Sequence, residues 1–382
     1  MNTHQVRAVR LRSFLAHDPG NTDLACDLAD ALFADGDYAD AQTVLTSIPG
    51  DGASVPGVRF RLARYALTTG DYAHAADEYA AMIAAGHDGI AVRHDLAFAQ
   101  LCLRQADDAM RTLESAIADF GATPELLILR SRVEAMLEQY PQAAASADAA
   151  LALRPDDALA LGVKSLALLD DNQLDAAAQT ARDALQIDPD QHEALLVAST
   201  LCLWQQDLEP ARDFFERALG RHPNSGRALS GYGQLLMLRN ELPRAGEVLD
   251  HATRAMPNHI GTWHALAWNQ LLRGEREAAE ASYRSAYDVD RNFGDTHGGL
   301  ALVAALRGDY EEAEQSIKRA LRLDPDAVTA RYAQALLMEA RGDVDGSEAA
   351  IARLLPTTGA FAALPVREFA QRLKDTLKSG SR

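Results

Sequence analysis

The residue types able to do chemistry are present, but their spacing does not assemble them into a reactive group. Eleven histidines are scattered along the chain, and no pair stands where two ligands would share adjacent turns of one helix. Cys26, Cys102 and Cys202 lie too far apart for a CxxC zinc or redox motif, and an odd count cannot pair fully, so they read as buried reduced thiols. The "GYG" at 231–233 lacks the third glycine of a dinucleotide loop and falls inside a helical pattern rather than after a strand. No HExxH, GxSxG or Walker sequence occurs. Carboxylates are frequent in stretches such as "GDYADA" and "GDYEEA", where they complement helix starts and solvate outer faces. The expectation is a protein without catalytic residues, metal or cofactor.

The elements that carry these residues are helical. Over 382 residues, apolar types make up 48%, with alanine heavily represented, and aromatics only 6%, which suits closely packed helices better than a β-sandwich. A net charge of −18 repels phosphate backbones and anionic lipid, so nucleic acid and membrane are not expected partners. The opening "MNTHQVRAVRLRSFLAHDPG" lacks the continuous apolar run of a secretion signal, and no stretch reaches membrane-spanning length, which predicts a cytoplasmic protein.

The chain repeats itself every 34 residues. Pro155, Pro189, Pro223, Pro257 and Pro325 fall on one grid, Arg291 fills its gap, and Pro19 lies on its backward extension. Each marks a helix end, because proline cannot continue a helix. A second grid runs through Gly36, Gly70, Arg104, Glu138, Asn172, Gln206, Asn240, Gly274, Gly308 and Gly342; glycine or asparagine fills seven of the ten, as a left-handed helix terminus favours. Five residues after each turn, and seven before it, every residue is alanine, serine or glycine. Small facing side chains let two antiparallel helices approach closely.

This pattern resembles the tetratricopeptide repeat, with "RGDYEEAEQSIKRALRLDPD" at 307–326 close to the family's second-half consensus. The resemblance implies an all-α, right-handed α-solenoid of about ten helix-turn-helix units spanning 22–361. The first three units lack the terminal proline, and Ile48 and Met82 replace alanine in the first two, so their packing is expected to be less regular. Residues 1–21, ending near Pro19, are expected to cap the front as the second helix of an incomplete unit. At the back, residues 362–382 are expected to form a capping helix whose stripe is Val366, Phe369, Ala370, Leu373 and Leu377.

The resemblance also sorts side chains into packing and lining. Relative to the turn at Gly274, Trp263, Leu266, Ala267 and Gln270 fall on the packing face, Trp263 matching the family's core tryptophan. His264 and Trp268 fall on the next face round, which in this family lines the inside of the superhelix. Gly298 and Tyr332 continue the row of His264, and Gly298 could either admit a ligand backbone or relieve crowding between helices. Trp204, Leu238, Leu272 and Leu306 stand two residues before four consecutive turns and would form an apolar patch if exposed together. Arg61, Arg64 and Arg132 belong to an N-terminal arginine cluster suited to carboxylates, although neighbouring acids such as Asp30 and Glu134 could instead build an internal salt-bridge lattice. The lysine and asparagine of the family's carboxylate clamp for chaperone tails are absent.

The expected function is a non-enzymatic scaffold or adaptor that holds a peptide or helix of another protein. The partner-binding residues are Trp204, Leu238, His264, Trp268, Leu272, Gly298, Leu306 and Tyr332, with Arg61, Arg64 and Arg132 for acidic groups. The alternatives are a regulatory or secretion-type chaperone that shields a client in the same groove, and a self-assembling structural protein.

Overall fold

The computed structural model describes residues 3–354, and the end of the tenth repeat and the capping helix expected at 362–382 lie outside them. The chain divides into two compact units, residues 1–173 and 174–382. The first holds α1 (Thr3–Leu15), α2 (Thr22–Asp35), α3 (Tyr38–Thr46), a 3-10 segment (Gly50–Ser54), α4 (Pro56–Thr69), α5 (Tyr72–Ala84), α6 (Ile90–Cys102), α7 (Ala106–Phe120), α8 (Pro124–Met136), α9 (Tyr140–Leu153) and α10 (Ala158–Asp170). The second holds α11 (Leu174–Ile187), α12 (His192–Trp204), α13 (Leu208–Arg221), α14 (Gly226–Leu238), α15 (Leu242–Ala255), α16 (Ile260–Leu272), α17 (Arg276–Val289), α18 (Gly294–Arg307), α19 (Tyr310–Leu323), α20 (Val328–Ala340) and α21 (Val344–Leu354). No strand occurs among the described residues.

All ten turn positions of the second grid have positive φ, including the non-glycine residues Arg104, Glu138, Asn172, Gln206 and Asn240 near 60°. The same hydrogen bond closes turn after turn, as in Asp71 N to Ala66 O at 2.8 Å, Gln139 N to Glu134 O at 2.9 Å and Asp309 N to Ala304 O at 3.0 Å. This six-to-one bond satisfies a carbonyl left orphaned by the ending helix. The second helices end two residues ahead of the prolines: α9 at Leu153 before Pro155, α13 at Arg221 before Pro223, α19 at Leu323 before Pro325.

The two small columns are the contact between the helices of a hairpin. Ala109, Ala143, Ala211, Ala245, Ala279 and Ala313 are fully buried five residues after their turns, as are Ala97, Ala267 and Ala301 seven before theirs. Ser131 shows the meeting directly, its hydroxyl donating to the carbonyl of Ala143 at 2.8 Å. Gly233 shows the tolerance: a Cβ there would lie 2.5 Å from Leu249 Cγ. A larger residue in either column forces the hairpin open.

The first unit starts irregularly. α3 has nine residues, and the 3-10 segment follows it, with Gly52 seated against Ile48. Helix α1 packs on α2 through Ala8, Leu11 and Leu15, while Val6, Val9 and Phe14 on its other side are exposed.

Candidate functional site

The row ten residues before each turn, expected to line a groove, is instead mostly a seam between successive first helices. At three positions of the second unit this residue meets the residue twelve or thirteen before the next turn. Ser230 Oγ lies 3.3 Å from Thr262 Oγ1, and His264 Nε2 lies 2.9 Å from Thr296 Oγ1. At Gly298, a Cβ would stand 2.1 Å from Thr329 Oγ1 and 2.6 Å from Ala330 N. Helices α18 and α20 accordingly approach far more closely than other successive first helices. The expectation that Gly298 admits a ligand backbone is therefore corrected, because the backbone it admits is that of α20.

Two neighbours of Gly298 in this row, expected to line the groove, are likewise taken up by packing between helices. Tyr332 is 3% exposed, and burial holds its hydroxyl far above the ordinary phenol range. His264 is half-buried, wedged edge-on against Tyr283 and Phe293 with ring centroids 5.4 and 5.6 Å away. Burial, and then the nearby His259, lowers its pKa to about 4, so the ring is neutral at pH 7 and serves as a spacer between α16 and α18.

The remaining apolar residues keep part of their surface in solvent. Trp204, Leu238, Leu272 and Leu306 are each half-buried. Leu238 leans on the core of α12 to α15, and Leu306 and Trp268 on the core around α18. Trp263 is a packing residue, its indole Nε1 donating to Pro257 O at 2.7 Å.

One residue further along each helix stands a feature that the sequence reading missed: Arg239, Arg273, Arg307 and Arg341, 34 residues apart. Arg239 pairs with Glu209 of the preceding second helix, Arg307 with Glu280 and Arg341 with Glu314. Arg273 has Gly246 where the next two repeats place Glu280 and Glu314, and it pairs with Glu275 at 2.8 Å. The signal was the same column arithmetic, applied to the position just before the turn.

In the first unit most of the arginine cluster is tied internally. Arg61 grips Asp30 through Nε at 2.9 Å and Nη2 at 2.6 Å, and donates Nη1 to Gly57 O at 3.0 Å. It is thus a brace between α2 and α4, and the expectation of a ligand contact is corrected. Arg59 pairs with Glu78 at 2.8 Å, and Arg130 with Glu134 at 2.8 Å. Arg132 is half-buried near Cys102, whose thiol pKa burial pushes up and Arg132 partly draws back. Arg64 is exposed and its guanidinium has no ion pair among the described residues. No group of three or more His, Cys, Asp or Glu among those residues is placed to hold a metal ion.

Two sequence profiles described as tetratricopeptide repeat match the chain, one at residues 8–64 and 205–268, the other at 128–192, 264–327 and 299–363. No curated protein matches it. Among solved structures, the chain is similar to YrrB, a TPR protein with an unusual peptide-binding site, at 20% identity and TM-score 0.39, over 50% of this chain and 98% of that one. It is similar to the Cut9–Hcn1 hetero-tetramer of APC/C at 14% identity and TM-score 0.47, over 98% and 93%. A tetratricopeptide repeat protein from Parabacteroides merdae shares 16% identity at TM-score 0.46, over 65% and 98%.

Proposed function

Because the chain belongs to the tetratricopeptide repeat family, we propose that it is a non-enzymatic scaffold that holds a peptide or helix of another protein along the first helices of its second unit. The observation that carries this reading is the column Trp204, Leu238, Leu272 and Leu306 at the ends of consecutive first helices, with Trp268 one turn back, all half-buried. Half-buried leucines and tryptophans in a row leave some apolar area for a partner to cover, and covering it stabilises a complex at roughly 25 cal/mol per Å².

In the first unit, Arg64 offers a second contact, for a carboxylate of the partner. Arg132, beside Cys102, is the weaker candidate, since its side chain is already half-buried. The protein works in a reducing compartment on this reading, in keeping with its three free cysteines, and the cytoplasm is the compartment proposed.

The test starts with partners captured from the native host and identified by mass spectrometry. Each is then titrated against the full chain by tryptophan fluorescence, since Trp204 and Trp268 lie on the proposed surface. Weakened binding to Trp268→Ala and Leu272→Asp supports the reading, and unchanged affinity in both sinks it.

A further inference from the structure

The hairpin ends that carry the proposed apolar surface also carry charge, and on the scaffold reading above that charge sets the chemistry of the partner. In the second unit the residue just after each turn is acidic: Asp207, Glu241, Glu275, Asp309 and Asp343. Its backbone nitrogen donates to the carbonyl four residues before the turn, as in Asp207 N to Cys202 O at 2.9 Å and Asp309 N to Ala304 O at 3.0 Å. The first four are thus pinned to the last turn of a first helix, the turn that holds Trp204, Leu238, Leu272 or Leu306.

This position is the N-cap of each second helix, and capping is the ordinary use of a carboxylate there. In the first unit Asp37 and Asp71 do cap, accepting from Asp40 N at 3.4 Å and His74 N at 3.3 Å. In the second unit Asp207, Glu241, Glu275 and Asp309 accept no such bond. Glu241, Glu275 and Asp309 pair instead with the arginines just before their turns. These arginines do not balance the charge. Across 205–210, 239–244, 273–278, 307–312 and 341–346, ten carboxylates stand against six arginines. Asp207, Glu277 and Glu311 are exposed and have no ion pair among the described residues. The apolar column and the acidic excess coincide only in this unit. In the first unit the same column reads Ala34, Thr68, Cys102, Met136 and Asp170, and its last three turns are followed by Gln105, Gln139 and Gln173.

We propose that the partner segment is a basic amphipathic helix, its apolar stripe along Trp204, Leu238, Leu272 and Leu306 and its lysines or arginines along the carboxylates beyond the turns. Packed helices stand roughly 8–10 Å apart. A helix covers that distance in about six or seven residues, close to two full turns, so one face meets repeat after repeat. An extended chain covers it in about three residues, and an odd step turns successive contacts to opposite faces. The acidic excess repels an acidic helix of the same shape and attracts a basic one.

Fluorescence anisotropy with the full chain and three labelled synthetic peptides of about 21 residues, six turns of helix, tests this. One carries a leucine stripe flanked by lysines, one the same stripe flanked by glutamates, and one the lysine peptide's composition in scrambled order. The lysine-stripe peptide is expected to bind saturably, about ten-fold or more tighter than either of the others. Glu277→Lys combined with Glu311→Lys is expected to weaken it about ten-fold. Asp107→Lys combined with Glu114→Lys, the same change of net charge on exposed residues of α7, is expected to leave it unchanged. Absence of saturable binding, equal or tighter binding of either other peptide, or equal effects of the two charge reversals overturns the basic-helix inference and leaves the scaffold reading to the captured partners. Lysine-stripe binding that survives Leu272→Asp overturns both.

Discussion

His264 Nε2 and Thr296 Oγ1 meet at 2.9 Å across the seam between α16 and α18, and the ring that makes this contact is held neutral. In the unfolded chain a histidine protonates near pH 6.5, whereas here it does so near 4. The folded pKa is the lower one, so this group's contribution is full above about pH 6.5 and is lost as the pH falls toward about 4. The size is roughly 2 kcal/mol once partial exposure is allowed for. A nuclear magnetic resonance titration of the ring should give a midpoint near 4; a midpoint above 6 would remove the spacer role.

Gly298→Ala should destabilise the second unit by about 1–3 kcal/mol, the usual range for overpacking. The new methyl would collide with the backbone nitrogen of Ala330, which no side-chain rotation can relieve. Thermal unfolding followed by circular dichroism measures the loss. A neutral result would mean that α18 and α20 can part freely.

Arg104→Gly should stabilise the first unit by about 0.5–1 kcal/mol, because arginine there holds a left-handed φ of 61° that glycine adopts without strain. Urea denaturation of the two proteins gives the difference. Glu138→Gly, at φ 60°, is expected to behave in the same way.

Leu272→Asp should weaken partner binding by about 1.5–3 kcal/mol, ten-fold or more, if the leucine is covered in the complex. Arg61→Ala should instead lower stability with little direct effect on affinity, since its guanidinium is spent on Asp30. Arg64→Ala should do the reverse. Titrating all three variants beside their melting curves separates an interface residue from a brace.

The hairpins were legible in the sequence because both helices of a unit and the turn between them recur at a fixed offset. A column that is always small, such as the one through Ala109, Ala143 and Ala177, is therefore a contact, and the structure buries it. Contacts between units follow a different arithmetic. Ser230 meets Thr262 and His264 meets Thr296, each 32 residues on, and Arg61 meets Asp30, 31 residues back. Comparing residues 34 apart places equivalent positions side by side and hides which ones touch. That is why His264, Gly298 and Tyr332 read as lining, and why Arg61 read as available.

The seam makes the order of the units matter. A glycine at 298 accepts the backbone of α20 at close range, while the imidazole at 264 demands a hydroxyl at arm's length, so the two junctions are differently shaped keys cut on the same blank. Shuffling whole units would preserve every hairpin and still jam at the joins. The present sequence reads in one order only.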